Sequence, residues 1–148
     1  MSHHASILTI DTAGKGLVEI TRGVEEWVSE TGVETGVLTV FCRHTSASLL
    51  INENAAPAVK SDILAWLERI APEGPHYLHD DEGPDDMPAH LKAALTGVSL
   101  SIPIIAGRTA LGTWQGIFLA EHRSRPHRRE VALHLSGDKR PRFTSLDR

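Results

Sequence analysis

The sequence predicts a single α+β domain of 148 residues with a largely antiparallel sheet core. Two observations support this prediction: about seven segments have strand character and three have helical spacing, and the strands cluster at both ends of the chain. Strands and helices do not alternate regularly, which argues against a doubly wound parallel sheet. No repeat or linker divides the chain, so we expect one domain with a core at about 5–137 and a basic tail at 138–148.

The first elements are two strands and a short helix. Segments 5–11 and 16–21 alternate apolar and polar residues around the turn TAGKG, which predicts a β-hairpin. Thr21 is placed to cap a helix at 22–31, and Gly32 is placed to end it.

Two further strands and the most clearly amphipathic helix follow. Segments 36–44 and 48–53 are rich in β-branched and aliphatic residues, as is typical of strands. Helix 55–70 is expected to have Asn54 as its N-cap and Pro57 in its first turn. Its buried stripe is expected to comprise Val59, Ile63, Trp66, Leu67 and Ile70.

A long loop at 72–86, rich in Gly, Pro and acidic residues, separates this helix from the next. Loops of this length in a compact domain are usually functional or disordered. A third helix is predicted at 87–96, with Asp86 as its cap and Gly97 as its end. The remaining predicted strands are 98–105, 111–122 and 129–136.

Composition and charge exclude several classes of protein. One cysteine, Cys42, excludes an intramolecular disulfide and a multi-cysteine zinc site. No apolar run approaches the roughly 20 residues of a membrane span, and the N-terminus lacks a signal-peptide pattern, so we expect a cytoplasmic protein without a membrane partner. The net charge of −4 and 5% aromatic content argue against a nucleic-acid partner, although residues 123–148 hold 8 basic and 3 acidic side chains.

The stretch HDDEGPDDMPAH, residues 79–90, is the first candidate site. His79 and His90 enclose five carboxylates, including Glu82, and neutral imidazoles are strong ligands for zinc and related ions. The alternative is a solvated turn in which Asp85 and Asp86 stabilise a helix N-terminus.

RHTSASLLINEN, residues 43–54, is the second candidate site. His44 ends an apolar row of its strand, where it is either a core histidine or a ligand at the lip of a pocket. Thr45 and Ser46 offer hydroxyls and turn amides to phosphate oxygens, or simply form a turn. Asn52 and Glu53 lie at a strand end on opposite faces.

LGTWQGIFLAEH, residues 111–122, is the third candidate site. Gln115 and Glu121 are polar residues on an apolar strand, which implies either pairing or function. Nearby, Arg108 is either an anion contact or a solvated loop cation.

These clusters, in this order, resemble the secondary thiamine-phosphate synthase family, also called YjbQ-like. The resemblance rests on HTSASLLINENAAP, EGPDDMPAHLKAALTGVSLSIPI and LGTWQGIFLAEHR, and covers roughly residues 15–137. It implies a β-sandwich-like core and a homotrimer. The activity it implies joins a pyrimidine pyrophosphate to a thiazole phosphate, with release of pyrophosphate.

The resemblance also implies roles for individual residues. His44, His79 and His90 are expected to converge on a divalent metal, with zinc favoured and magnesium an option for a pyrophosphate substrate. Arg108 is expected to neutralise the leaving pyrophosphate, and Thr45 and Ser46 to bind phosphate. The other residues that the resemblance implies at the site are Glu53, Glu82, Gln115 and Glu121, with Glu82 or Glu121 orienting the attacking group or a metal-bound water. We also expect Asn52, beside Glu53, to contact substrate.

Two alternatives remain open from the sequence. The same residues suit a metal-dependent hydrolase with a glutamate base. They also suit a trimeric binding module for a metal or small anionic metabolite, without catalysis.

Overall fold

Two antiparallel sheets and three helices form the part of the chain that the computed structural model describes, residues 1–141. The helices are α1 (Thr21–Thr31), α2 (Pro57–Ile70) and α3 (Asp86–Thr96). The strands are β1 (Ser2–Thr12), β2 (Gly16–Glu19), β3 (Val33–Cys42), β4 (Ala47–Glu53), β5 (Ser99–Ile105), β6 (Arg108–Thr109), β7 (Gln115–Glu121) and β8 (His127–Lys139). The larger sheet has the order β1-β8-β3-β5-β6 and the smaller one β2-β7-β4. The predicted single α+β domain with three helices is confirmed.

The core lies where the inner faces of both sheets meet α1. On β3, Leu38 and Val40 are fully buried, and they lie opposite Leu135 and Leu133 of β8. Side chains of β4 and β7 close the core from the smaller sheet, joined by valines of α1. Each fully buried aliphatic side chain contributes about 1.5–3 kcal/mol, so this interdigitated layer fixes both sheets as a frame for the loops.

The predicted hairpin of the first two strands is wrong. β1 pairs with β8 over the whole of Ser2–Thr12, whereas β2 pairs with β7 in the other sheet. The turn between them therefore passes from one sheet to the other. The eleven-residue partnership with β8 satisfies far more backbone groups than a four-residue hairpin would.

The predicted details of α2 also differ from the structure. Its N-cap is Ala56 with no side-chain cap, and the Asn54 amide donates instead to Glu19 Oε2 at 3.1 Å. Of the predicted stripe only Leu67 is buried, while Trp66 is 44% exposed. Helical spacing determines which residues share a face. It does not determine whether another layer covers that face, and α2 lies at the periphery.

The loop before α3 and the end of α3 agree closely with the prediction. Gly97 ends the helix with φ of 96°, a conformation that favours glycine. The N-cap position is occupied by Asp85 and not by Asp86, which lies in the first turn. The predicted basic tail begins inside β8, which runs to Lys139, and residues 142–148 lie outside the described residues. Over residues 1–141, no helix is both long and apolar enough to cross a bilayer.

Candidate metal centre

Four ionisable side chains converge where the loop before α3 meets its first turns. One ligand atom each from His79, Glu82, Asp86 and His90 lies within 4.8 Å of all the others. Asp86 and His90 are four residues apart on α3 and therefore share a helix face. The loop folds back over that face and supplies His79 and Glu82. The structure thus brings together three residues that the sequence marked as candidates and adds Asp86.

Both imidazoles of this centre point to the same carboxylate oxygen. Asp86 Oδ2 lies 2.8 Å from His79 Nε2 and 3.1 Å from His90 Nε2. His79 Nε2 also lies 3.6 Å from Glu82 Oε2. Carboxylate oxygens therefore lie close to both Nε2 atoms, so that one ion could contact the imidazoles and the carboxylates together.

A backbone contact fixes the proton on His90. Its Nδ1 lies 2.9 Å from the carbonyl oxygen of Thr45, which can only accept, so Nδ1 carries the hydrogen. In the neutral ring, Nε2 then presents a lone pair to Asp86 Oδ2. Two lone pairs at this distance repel each other unless a proton or a metal ion lies between them.

Arg123 holds the acidic loop in place from behind. Its guanidinium donates to Asp86 Oδ1 at 2.8 Å, to Asp85 Oδ2 at 3.0 Å and to the Glu82 carbonyl at 2.9 Å. One oxygen of the nearly buried Asp86 thus binds Arg123 while the other faces the histidines. Contacts of this kind behind a ligand fix its orientation and tune its affinity for metal.

The electrostatics of the centre favour ionised carboxylates. Burial opposes ionisation of Asp85, but the Ser124 amide and the Arg123 guanidinium outweigh it and lower its pKa to about 2. Burial is likewise outweighed at Asp86, where the hydrogen bond from His79 and the charge of Arg123 lower the pKa. The hydrogen bond to Asp86 raises the pKa of His79 above its usual value. The centre therefore attracts positive charge, whether protons or a metal ion.

His44 does not join this centre, contrary to the predicted convergence of three imidazoles. Its Nε2 accepts a hydrogen bond from the Glu130 backbone amide at 2.7 Å. Burial lowers the pKa of His44, so the ring is neutral at pH 7. His44 shares with His90 the lining of an adjacent groove, and Asp86 takes the place that His44 was expected to fill.

Glu121 was predicted as a candidate catalytic glutamate, but it lies in a closed ion pair. Its side chain is buried, and its two oxygens accept hydrogen bonds from the Arg129 guanidinium and from Thr12 Oγ1 at 2.6 Å. The same guanidinium donates to Ser46 Oγ at 3.0 Å, so the Ser46 hydroxyl is also engaged. We assign Glu121 and Ser46 to structure, because neither has a free group facing solvent.

The other predicted residues lie elsewhere in the chain. Register pairs Ala47 with Glu121 at one end of the smaller sheet and Glu53 with Gln115 at the other, about 20 Å away at 3.3 Å per residue. Gln115 Oε1 accepts a hydrogen bond from the Gly112 amide, and Asn52 Oδ1 accepts one from the Glu53 amide.

Arg108 lines a separate cavity of about 500 Å³ between α1 and β6. Thr45 is exposed beside His90 and remains available to a ligand.

Sequence reasoning missed Arg123 and assigned Asp86 to helix capping. The available signal is a charge imbalance: five carboxylates in twelve residues require cations from elsewhere, and Arg123 lies two residues after the strand that ends at Glu121. In the sequence, that arginine belongs to the basic C-terminal stretch, which hides its relation to the acidic loop.

Fold and site together define the class of this protein. It is an antiparallel α+β protein with a histidine and carboxylate centre at one end of its sheets. The family model described as "UPF0047 protein YjbQ-like" matches residues 6–138, and the chain belongs to that family. A UPF0047 protein of Synechocystis is 53% identical over 91% of this chain and 92% of its own length. YjbQ of Salmonella typhimurium is 42% identical, over 88% and 96% respectively.

Solved structures agree with this assignment. A hypothetical protein of Aeropyrum pernix superposes with a TM-score of 0.85 at 32% identity, covering 91% of this chain and 99% of its own. A YjbQ/UPF0047 protein of Clostridium acetobutylicum gives 0.82 at 39% identity, covering 88% and 99%. The names of these relatives state no reaction.

Proposed function

We propose that the chain is a metal-dependent enzyme acting on phosphorylated heterocycles, with thiamine-phosphate synthesis as its leading reaction. One observation carries the metal-dependent part: the His90 Nε2 lone pair, fixed by the Thr45 carbonyl, and His79 Nε2 both face Asp86 Oδ2. The choice of reaction rests on the family resemblance of the sequence.

The donor set suits zinc better than magnesium. Two imidazoles with the Asp86 carboxylate are ligands that Zn²⁺ prefers, and they leave a position open for water or substrate, whereas Mg²⁺ prefers oxygen and usually keeps several waters. Magnesium remains the candidate for an ion carried in by a pyrophosphate substrate. A bound divalent ion would supply positive charge for phosphate oxygens and polarise a water molecule.

The chain's own residues have separable tasks at such a site. Asp86 and His90 are held rigidly by Arg123 and by the Thr45 carbonyl. Thr45 is exposed beside His90 and offers its hydroxyl to a phosphate oxygen. Glu82 is 62% exposed and is therefore free to orient an attacking partner or take a proton.

Metal-dependent hydrolysis is the second candidate, and the position of Glu82 supports it. A solvent-exposed carboxylate 3.6 Å from His79 Nε2 is well placed to accept a proton from water activated nearby. The coupling reaction does not need such a base, because departure of pyrophosphate from a pyrimidine-methyl carbon leaves a stabilised cation.

The experiment compares zinc-loaded with metal-stripped protein, each supplied with the pyrimidine pyrophosphate and the thiazole phosphate. We expect thiamine phosphate from the loaded protein only, with loss in His90→Ala and retention in His76→Ala, an exposed histidine that does not belong to the centre. Release of phosphate without coupling would favour hydrolysis. Tight binding without any turnover would leave the non-catalytic module and contradict the enzyme proposal.

We also propose the homotrimer that the resemblance implies. Exposed apolar side chains on the outer face of the larger sheet support self-association, among them Ile7 and Val37. Light scattering of the purified chain should give a mass of about three chains of 16.1 kDa, and a monomer at micromolar concentration would contradict this.

A further inference from the structure

An apolar groove of about 780 Å³ opens directly beside the candidate metal centre. One wall is the end of β3 and the turn after it, with Phe41. The other wall is the second half of α3 and the start of β5, with the small side chains Ala93, Ala94 and Val98. His90 belongs both to the groove lining and to the metal centre, so the two sites are continuous.

The charge of the groove differs from that of the centre. Among residues 1–141, no carboxylate lines it, and the guanidinium of Arg43 in its lining is matched by Glu130 at 2.6 Å. The five carboxylates lie on the far side of His90, in the loop before α3 and in its first turn. A divalent ion held by the centre would bind an anionic group, so a ligand that spans both sites has an uncharged part in the groove and its anionic group at that ion.

His44 adds a directional donor to this apolar lining. Because its Nε2 accepts the Glu130 amide hydrogen, the neutral ring carries its proton on Nδ1. Nδ1 has no hydrogen-bond partner among residues 1–141, and it is not among the buried polar atoms. It is left to donate to an acceptor on a ligand lying against the ring.

We propose that this groove binds a flat, uncharged aromatic ring that is separated by one or two atoms from a phosphate or pyrophosphate at the metal centre. This inference rests on the proposed function. It adds the place where the ring of the substrate binds and the residue that limits the size of that ring. That residue is Ala94, which is exposed in the groove, so a larger side chain there occupies the space of the ring without entering the core. Acyclic and sugar phosphates leave the groove empty and bind more weakly.

The test measures binding of benzylphosphonate and methylphosphonate to the zinc-loaded full-length protein by isothermal titration calorimetry. The two probes share one anionic group and cannot be hydrolysed, so they differ only in the ring. We expect benzylphosphonate to bind on the order of tenfold more tightly in the wild type, because the ring adds six buried non-hydrogen atoms.

The matched variants are Ala94→Phe, which fills the groove, and Leu91→Phe, which places the same ring on an exposed position of α3 outside it. Ala94→Phe should remove the preference for the benzyl probe and leave methylphosphonate affinity within about twofold, whereas Leu91→Phe should keep the preference. Zinc content and thermal unfolding confirm that both variants are folded and loaded. Equal affinity of the wild type for both probes, or an unchanged preference in Ala94→Phe, overturns the groove assignment alone. If the zinc-loaded wild type binds neither benzylphosphonate nor methylphosphonate, the proposed phosphate site is overturned as well.

Discussion

Two clusters of charged side chains lie at the same end of the molecule, and they differ in how their charges are matched. In the inner cluster, Glu121 is enclosed by Arg129, Thr12 and the Arg123 amide, and every buried side-chain polar atom of residues 1–141 has a partner. In the outer cluster, Asp86 Oδ2 faces two imidazole nitrogens, one of which has no proton to offer in its neutral form. A closed cluster stabilises the fold, whereas an open one keeps ligand atoms within reach of an ion and therefore indicates a site.

The largest expected effect comes from opening the inner cluster. Arg129→Met leaves the Glu121 carboxylate buried without its cation, which should lower the free energy of unfolding by about 3–5 kcal/mol. Arg123→Met removes a guanidinium that is partly exposed, and should cost only about 1–2 kcal/mol. Urea denaturation of both variants measures the difference. If both variants lose the same free energy of unfolding, the inner cluster is no more dependent on its arginine than the outer one.

A smaller effect concerns the pH dependence of stability through His122, beside the inner cluster. Burial, followed by the charge of Lys92, lowers its pKa to about 4, while in the unfolded chain it titrates near 6.5. Between these values the unfolded state binds the extra proton, so stability falls as pH drops from 6.5 to 4 and levels off below 4. The loss attributable to this group is about 3 kcal/mol.

The control for this prediction is His122→Asn, which retains a hydrogen-bonding group near Ser48 Oγ but does not titrate. Chemical denaturation at several pH values between 4 and 7 should give a shallower slope in the variant. If wild type and variant lose stability in parallel, His122 is not buried in its neutral form.

A third prediction concerns the effect of Arg123 on the zinc affinity of the outer cluster. Arg123→Lys keeps the charge but cannot reach Asp85, Asp86 and the Glu82 carbonyl together, so zinc affinity should fall about 10–100-fold. Arg125→Lys, an exposed change two residues away, should leave affinity unchanged. Competition with a chromogenic chelator measures both. Equal zinc affinity of wild type and Arg123→Lys would mean that Arg123 does not position the ligands.

The smallest effect is expected at His44, which lies outside the outer cluster. His44→Ala should change zinc affinity by less than about threefold, because its Nε2 is engaged by the Glu130 amide. It should weaken ligands that need the Nδ1 donor in the groove. A large loss of zinc would place His44 among the ligands after all.

The parts of the molecule that the sequence predicted well are those determined by local chemistry. α3 and its end at Gly97 follow from turn residues and from a glycine with positive φ, and β3 follows from a β-branched run. The pairing of β1 with β8 joins residues more than 100 positions apart. No short-range pattern records such a contact, so the hairpin looked equally plausible.

The residues of the candidate site also differ in whether local sequence could identify them. His79, Glu82 and His90 could be chosen because imidazoles and carboxylates in one short stretch have few roles besides solvation and metal binding. For Glu121, the sequence left pairing and function equally open, and the choice depended on Arg129 crossing from the neighbouring strand to meet it. The location of Asn52, Glu53 and Gln115 at the far end of the sheet depended on strand register, which alternation alone does not give.

The most direct test of the central claim is a zinc titration of metal-stripped protein by calorimetry, using wild type, His79→Ala, His90→Ala and His44→Ala. The open outer cluster predicts one ion per chain in wild type and in His44→Ala, and no tight binding in the folded His79→Ala and His90→Ala variants. A wild type that binds no zinc, or histidine variants that bind as tightly as wild type, would contradict the assignment of His79, Asp86 and His90 to a metal centre.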